Sequence, residues 1–363
     1  MKKILSAFLA LAMMSSFALA NPYGVGARFA AMGGAGSALV DDTYSTYYNP
    51  AGMANSQAMS LKIGAGAAAE GMDKLIATLS SAGDPSKFIL DNYANAIDID
   101  GNLNAFIGIN AGKIGLGIMP ATSLSMNKAA STANGDAIAS MLGQGVVSYG
   151  QGISAPFLGS LNAGGSFKYI VNAGGTAAVG GTTSVTDGYT YSGIGFDLGI
   201  QSKVDIPTAP VSVGVVMKNI GATLRGTTTR ITKTINPATG SVESESETSG
   251  TGPDYTMPTT FVIGAAAKIP VVGLTVAIDI DSIGADNLSS IPAYSLTHIG
   301  LEYPVAMGLV NLRLGKVSGG PGGSVDMTTY GAGVLGNMIN IAMVTDNVTP
   351  KNNQMMFDIG FGF

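Results

Sequence analysis

The chain has 363 residues, of which 46% are hydrophobic and only 11% are charged, and its formal net charge is −5. Ordinary soluble domains contain roughly 25% charged residues, so the composition is unusually apolar for one of them. The absence of cysteine excludes disulfides, thiol catalysis and cysteine-based metal sites, and the slightly acidic charge without a basic cluster argues against nucleic acid as a partner.

The first twenty residues have the pattern of a secretory signal peptide. Lys2 and Lys3 precede an apolar stretch at 4–14, and Ala18 and Ala20 provide the small residues of a cleavage site. The stretch is too short to cross about 30 Å of hydrocarbon, which makes an N-terminal anchor the weaker interpretation. No later apolar run reaches about 18 residues, so a helical membrane protein is excluded. We predict cleavage after Ala20 and export from the cytoplasm.

Residues 21–57 form a separate N-terminal unit rich in small residues and turn formers. Its glycines would allow close backbone packing, and its Asn-Pro-Ala-Gly run predicts a turn. It is not a dinucleotide-binding loop, because no strand precedes it and the spacing is not G-x-G-x-x-G. We predict a hatch or plug, with an ordered arm as the alternative. Its candidate residues are Arg28, Gly33, Gly34, Gly36, Asp41, Asp42, Asn49, Pro50, Ala51 and Gly52.

The rest of the chain shows repeated alternation of apolar and polar residues, which is typical of β-strands with one apolar face. At the C-terminus every second residue from Met355 to Phe363 is apolar, and the residues between include Asp358, Gly360 and Gly362. About fourteen such segments can be counted. They lie near 58–69, 102–111, 113–120, 144–154, 158–172, 189–203, 209–224, 255–270, 271–283, 292–304, 306–317, 325–335, 337–346 and 354–363.

The connections between these segments alternate in length. Those after even-numbered segments are brief, whereas several after odd-numbered segments are long, at 70–101, 121–143 and 225–254. Short turns at one rim and long loops at the other are typical of an outer-membrane barrel with both termini in the periplasm. Closing the sheet also satisfies every backbone group in hydrocarbon. A soluble β-sandwich shares the alternation and remains the alternative.

We therefore predict an all-β fold, a closed antiparallel transmembrane β-barrel of about 14 strands over 58–363. The N-terminal hatch would lie inside its lumen, and short helices would lie in extracellular loops. Helical patterns occur at 72–79, 87–97 and 136–142. These helices would cap the barrel mouth or form an apolar surface that catches a ligand. Residues 225–254, rich in threonine, serine and glutamate, are predicted to be a mobile external loop.

If the apolar faces contact lipid, the opposite faces line the lumen, where charges of both signs could pair and hold the hatch. Catalysis is not expected, since His298 is the sole imidazole and an outer-membrane phospholipase would need a serine such as Ser295 beside it. Two carboxylates on one strand are too few for a metal site, and no cofactor is expected. The predicted lumen-facing residues are Lys168, Asp197, Gln201, Lys218, Lys268, Asp279, Asp281, His298, Glu302, Arg313 and Asp358.

Three stretches resemble the FadL-type outer-membrane channel superfamily, which includes PorV-like and TraF-like barrels. Over 26–54, a glycine-rich stretch, an acidic pair and an Asn-Pro-Ala/Gly turn resemble the N-terminal hatch of this superfamily. Residues 213–221 resemble a G-x-x-x-x-N-x-G strand, and 298–315 resemble a G-x-E-Y … L-R-x-G hairpin. Phe363 resembles the terminal signal read by the barrel-assembly machinery.

The resemblance implies a fourteen-stranded barrel of a Gram-negative outer membrane. It also implies a function, the uptake of hydrophobic small molecules, fatty-acid-like or aromatic, past a hatch. One alternative is a PorV-like partner or shuttle in secretion or surface assembly, and another is a structural or adhesive barrel. The expected partners are outer-membrane lipid, a hydrophobic ligand and, through Phe363, the barrel-assembly machinery.

Overall fold

The structure is a computed structural model that describes residues 22–68, 96–129, 134–154, 160–180, 182–204, 206, 209–236, 242–287, 290–349 and 353–362. The predicted signal peptide, the predicted helix at 72–79, nearly all of the one at 87–97, and Phe363 lie outside these residues. In the described part of the chain, no helix is long and apolar enough to cross a membrane.

Sixteen strands make up most of the described chain, and all of them belong to one antiparallel sheet. They are β1 Met59–Ala68, β2 Ile97–Ala111, β3 Ile114–Lys128, β4 Gly135–Ser154, β5 Ser160–Gly180, β6 Thr183–Val204, β7 Val211–Ile235, β8 Val242–Thr251, β9 Tyr255–Thr256, β10 Thr260–Ile269, β11 Leu274–Ile283, β12 Tyr294–Val305, β13 Val310–Gly319, β14 Val325–Val334, β15 Ile339–Asp346 and β16 Gln354–Gly362.

The sheet closes on itself. The last strand, β16, pairs with β1, and every barrel strand pairs with its neighbour in sequence except at β7. The first part of β7 pairs with β10, while its later part pairs with β9 and β8. Strands β1–β7 and β10–β16 therefore form the ring, which confirms the closed antiparallel barrel of about fourteen strands and excludes a sandwich of two packed sheets.

Two local predictions were wrong. The segment 225–254 is largely a hairpin, because β7 continues to Ile235 and β8 returns in register, with Ile231 opposite Glu247. Residues 136–142 form part of strand β4, paired on both sides, rather than a helix. In both places pairing with a neighbouring strand outweighs local composition, and β-branched threonines suit a paired strand.

Burial alternates along the strands with the predicted period of two. In β1, Ser60 and Lys62 are buried, whereas Leu61 and Ile63 are exposed on the outside. Large apolar side chains cover the outer face of the ring in the same way, from Ile107 in β2 to Phe357 in β16. Transmembrane barrels place apolar residues on the outside and polar residues on the inside, which is the reverse of the distribution in a soluble protein.

The N-terminal segment, residues 22–57, lies against the inner face of the barrel. It contains a one-turn helix, α1 Ala27–Ala30, and two 3-10 turns at Thr43–Thr46 and Pro50–Asn55. The side chains of Asp42 and Asn49 cap the two turns by accepting backbone N–H groups. Most of this segment is buried. A barrel of this size is too wide for its own side chains to fill, and the segment supplies the missing interior.

Candidate functional site

Barrel glycines form a seat for the N-terminal segment. A Cβ on Gly315 of β13 would lie 2.1 Å from the backbone nitrogen of Gly33, and one on Gly214 of β7 would lie 2.3 Å from the Ser37 carbonyl oxygen. No side chain fits there, because the backbone of the segment occupies the space. The same holds for Gly150, Gly164 and Gly300, with backbone contacts of 2.4 to 2.6 Å, and a Cβ on Gly199 would lie 2.1 Å from the Asn49 side-chain oxygen. Sequence analysis missed this seat, since its members are spread over many strands.

Asp358 of β16 holds the start of α1. Its fully buried carboxylate accepts the backbone N–H of Ala27 at 2.6 Å and the Tyr44 hydroxyl at 2.9 Å, and Asn340 donates to its other oxygen at 2.6 Å. Burial raises the pKa of the Tyr44 hydroxyl well above its usual value, with the nearby Asp358 carboxylate adding to the effect, so Tyr44 remains a donor.

Glu302 lies between two arginines. Arg28 of the N-terminal segment donates through Nε and Nη2 to the two Glu302 oxygens at 3.2 and 3.1 Å. Arg313 of the neighbouring strand donates to Oε2 at 2.7 Å and to Asn340 at 3.0 Å. One carboxylate thus joins the segment to β12 and β13. The G-x-E-Y … L-R-x-G pattern has a physical basis here, because its two glycines seat the segment and its Glu and Arg form this pair.

A second attachment involves β11 and β12. Asp279 accepts the backbone N–H groups of Gly36 and Ser37 at 3.0 and 2.8 Å. The Nδ1 atom of His298 lies 2.7 Å from the Gly33 carbonyl oxygen. Gly33 and Gly34 turn the chain through left-handed backbone angles, with φ of 66° and 86°, which glycine adopts without strain.

The Asn-Pro-Ala-Gly turn also faces the barrel wall. Asn49 donates to the carbonyl oxygens of Ser37 and Ile200, at 2.9 and 3.1 Å, and its own oxygen accepts the Ala51 N–H. A Cβ on Gly52 would lie 2.3 Å from the Val40 carbonyl oxygen, to which Gln201 donates at 3.1 Å.

The two acidic residues differ. Asp42 pairs with Lys62 of β1 at 2.9 Å, whereas Asp41 is exposed.

Lys268, which was predicted to face the lumen, lies near the end of β10 and is exposed, away from the N-terminal segment.

A third polar group lies where β7 changes partners. Lys168 Nζ is 2.8 Å from an Asp197 oxygen, and Asp197 accepts the backbone N–H of Asn219 at 2.8 Å. Asn219 and Gly221 have positive φ angles of 61° and 66°, which asparagine and glycine tolerate best. This bulge explains the Asn and second Gly of the G-x-x-x-x-N-x-G pattern. It lets β7 leave β10 and continue beside β9 and β8.

A cavity of about 170 Å³ lies on the side of the N-terminal segment that faces away from the short turns. Tyr47, Tyr48 and Ser37 of the segment contribute to it. Side chains from the wall are partly apolar or aromatic and partly charged. The apolar and aromatic ones are Met119, Leu142, Tyr189, Tyr255, Met257, Val262, Ile283, Ile291, Tyr294 and Leu296, and the charged ones are Lys168, Asp197, Lys218, Asp279, Asp281 and Asp286, with His298 beside them.

The structure separates Ser295 from His298. Ser295 lies on the outer face of β12, opposite to His298, whose ring nitrogens lie near Gly33 and Asp281. In the part of the chain that the structure describes, no group of three His, Asp or Glu side chains could hold a metal ion.

Comparison with known proteins identifies the fold. No protein-family model matches the sequence, and no curated protein is significantly similar to it. Among solved structures, the monoaromatic hydrocarbon channel CymD matches with a TM-score of 0.59 at 13% identity, over 94% of this chain and 99% of that one. The P. putida toluene transporter TodX matches with a TM-score of 0.57 at 13% identity, over 94% and 97%. A Pseudomonas aeruginosa FadL homologue gives 0.51 at 10% identity, over 90% and 95%. The fold is FadL-like.

In this FadL-like barrel the attachments of the N-terminal segment surround it. They come from β1 at Lys62, β6 at Ile200 and Gln201, β11 at Asp279, β12 at His298 and Glu302, and β16 at Asp358. Thr329 of β14 adds another, because it accepts from Gly33 and donates to the Ala31 carbonyl. The segment is therefore fixed from many sides of the barrel wall.

Proposed function

We propose that the protein is an outer-membrane channel for the uptake of hydrophobic small molecules, with the N-terminal segment as its hatch. The observation that carries the proposal is a partly apolar cavity that lies directly on this segment, within a barrel whose outer face is apolar. An apolar exterior suits a membrane, and a cavity lined by methionine, leucine, valine and tyrosine suits an oily ligand. The exported, outer-membrane location is part of the proposal.

The size of the cavity favours a small ligand. Cavities of about 150 Å³ lined by apolar side chains bind benzene, so about 170 Å³ suits one aromatic ring. CymD and TodX, with the same fold, are a monoaromatic hydrocarbon channel and a toluene transporter. We therefore place single-ring compounds ahead of long-chain fatty acids.

The cavity has two ends with different roles in this proposal. Tyr255 and Tyr294 lie toward the rim of the longer connections, where a ligand would enter. Tyr47 and Tyr48 belong to the hatch and form the opposite boundary. Passage toward the short-turn side then requires the hatch to shift or loosen.

A surface-assembly role is the second candidate. The hairpin of β7 and β8 extends beyond the ring, and every residue of β8 is exposed, including Glu243, Glu245 and Glu247. Such a hairpin could contact a partner. A surface-assembly role gives the cavity no purpose, so the presence of the cavity favours the channel function.

Uptake of labelled toluene at low concentration by intact Gram-negative cells tests the proposal. Expression of the protein is expected to raise the initial rate. Val262→Trp, which places an indole where a buried cavity residue now lies, should remove most of that increase. Val213→Trp is the matched control, since Val213 is exposed on the outer face of the neighbouring strand, and it should retain uptake. Equal rates with and without the protein would contradict the channel function.

A further inference from the structure

The charges around the cavity indicate what kind of ring compound it takes. We infer that the cavity selects single-ring ligands that carry a hydroxyl or amino group and discriminates against carboxylates. This inference rests on the proposed function and specifies its substrate class.

Carboxylates outnumber ammonium groups in the lining. Asp197, Asp279, Asp281 and Asp286 line the cavity together with two lysines. An anionic ligand would enter a region that already carries excess negative charge, away from bulk water, where such repulsion is strong. A neutral or cationic ligand meets no such barrier.

The two lysines are already engaged. Lys168 Nζ lies 2.8 Å from Asp197 and 2.6 Å from the Asn219 side-chain oxygen, and it is buried. Lys218 Nζ lies over the ring of Tyr47, 4.6 Å from its centroid, in a cation–π contact. A ligand carboxylate would have to displace Asp197 or Asn219 to pair with Lys168, so among the described lysines of the lining Lys218 is left to offset the aspartates.

In contrast, the cavity lining contains hydrogen-bond acceptors that have no donor in the described part of the chain. His298 Nδ1 faces a carbonyl oxygen and must donate to it, which leaves Nε2 as an acceptor in the neutral ring. Nε2 lies 3.7 Å from an Asp281 oxygen, beyond hydrogen-bond range, and has no hydrogen-bond partner among the described residues.

The Asn172 side-chain oxygen is likewise buried and unpaired there. Both residues line the cavity. A buried unpaired acceptor is costly, and a ligand O–H or N–H group would relieve that cost. An aromatic hydrocarbon cannot do so, and a carboxylate would add a further acceptor. The apolar part of the cavity then holds the ring.

Calorimetric titration of the purified protein in detergent, in mildly alkaline buffer, tests the inference with four probes that share one ring: toluene, benzyl alcohol, benzylamine and benzoate. Benzyl alcohol and benzylamine are expected to bind about 3- to 10-fold more tightly than toluene, the effect of one or two hydrogen bonds, and benzoate is expected to bind most weakly. Either order of benzylamine and benzyl alcohol supports the inference, because both carry a hydrogen-bond donor and neither is an anion.

Asp281→Asn is expected to reduce the preference for benzylamine over benzoate several-fold. Asp187→Asn is the control, because Asp187 forms an exposed ion pair with Arg230 and does not line the cavity. The inference would be overturned if benzoate bound as tightly as benzyl alcohol, or if Asp281→Asn left the preference for benzylamine over benzoate unchanged. In either case, binding of toluene would still support the channel function. Failure of all four probes to bind would overturn both.

Discussion

Removal of residues 22–55 is expected to convert the closed barrel into an open pore. The ring pairs through β1 and β16 without help from these residues, so it should still close. The inner face left behind carries Asp279, Glu302, Arg313 and Asp358, which water can solvate. Single-channel recordings in planar bilayers should then show ionic conductance of the size found in porins, where the intact protein shows little.

The control for this deletion removes residues 231–247, the outer part of the β7–β8 hairpin. Arg230 and Thr248 face each other across that hairpin and can be joined by a short turn. Because this hairpin lies outside the ring, its removal should leave the conductance low. A low conductance after loss of 22–55 would show that the segment does not block the lumen.

Replacement of Glu302 by Gln is expected to destabilise the protein strongly. Glu302 pairs with both Arg28 and Arg313, and the Arg313 side chain is fully buried. Loss of the carboxylate leaves two guanidinium groups close together without their counter-charge, a change that costs about 3 to 5 kcal/mol in buried pairs. The N-terminal segment should become susceptible to proteolysis, and the thermal transition should occur at lower temperature.

Glu245→Gln is the matched control. Its partner Lys233 lies 3.8 Å away on the exposed hairpin, where such pairs contribute about 0 to 1 kcal/mol. Proteolysis and thermal unfolding should therefore resemble those of the unchanged protein. Equal effects of the two substitutions would mean that the Arg28–Glu302–Arg313 group does not hold the segment.

The barrel was predictable because the pattern that marks its strands can be read from short stretches of sequence. A strand between lipid and a polar interior must alternate, and the alternation around Met355 or Leu61 is visible in any window of ten residues. The hairpin of β7 and β8 was not predictable in this way. Its threonine, serine and glutamate residues have the composition of a solvated loop, and only pairing in register makes them strands.

The candidate site was predictable in part. Asp358, Glu302 and Asp279 interrupt apolar strands, so their inward position follows from alternation, but their partners on the N-terminal segment lie far away in sequence. The glycine seat is harder still. Gly214 and Gly315 look like ordinary small residues until the backbone of Ser37 and Gly33 is seen against them. The cavity is assembled from many strands, so no single stretch of sequence marks it.

In the outer-membrane channel proposed above, the outer face of this ring meets acyl chains while the inner face holds the N-terminal segment. Since the chain has no cysteine, a nitroxide label can be attached at one chosen position without background. In lipid vesicles, a label at Leu314, exposed on the outside, should be reached by oxygen dissolved in the bilayer and not by a water-soluble nickel complex. A label at Val317, buried on the inside, should be immobilised and reached by neither. Access of the nickel complex to position 314, or oxygen access equal at both positions, would contradict the account.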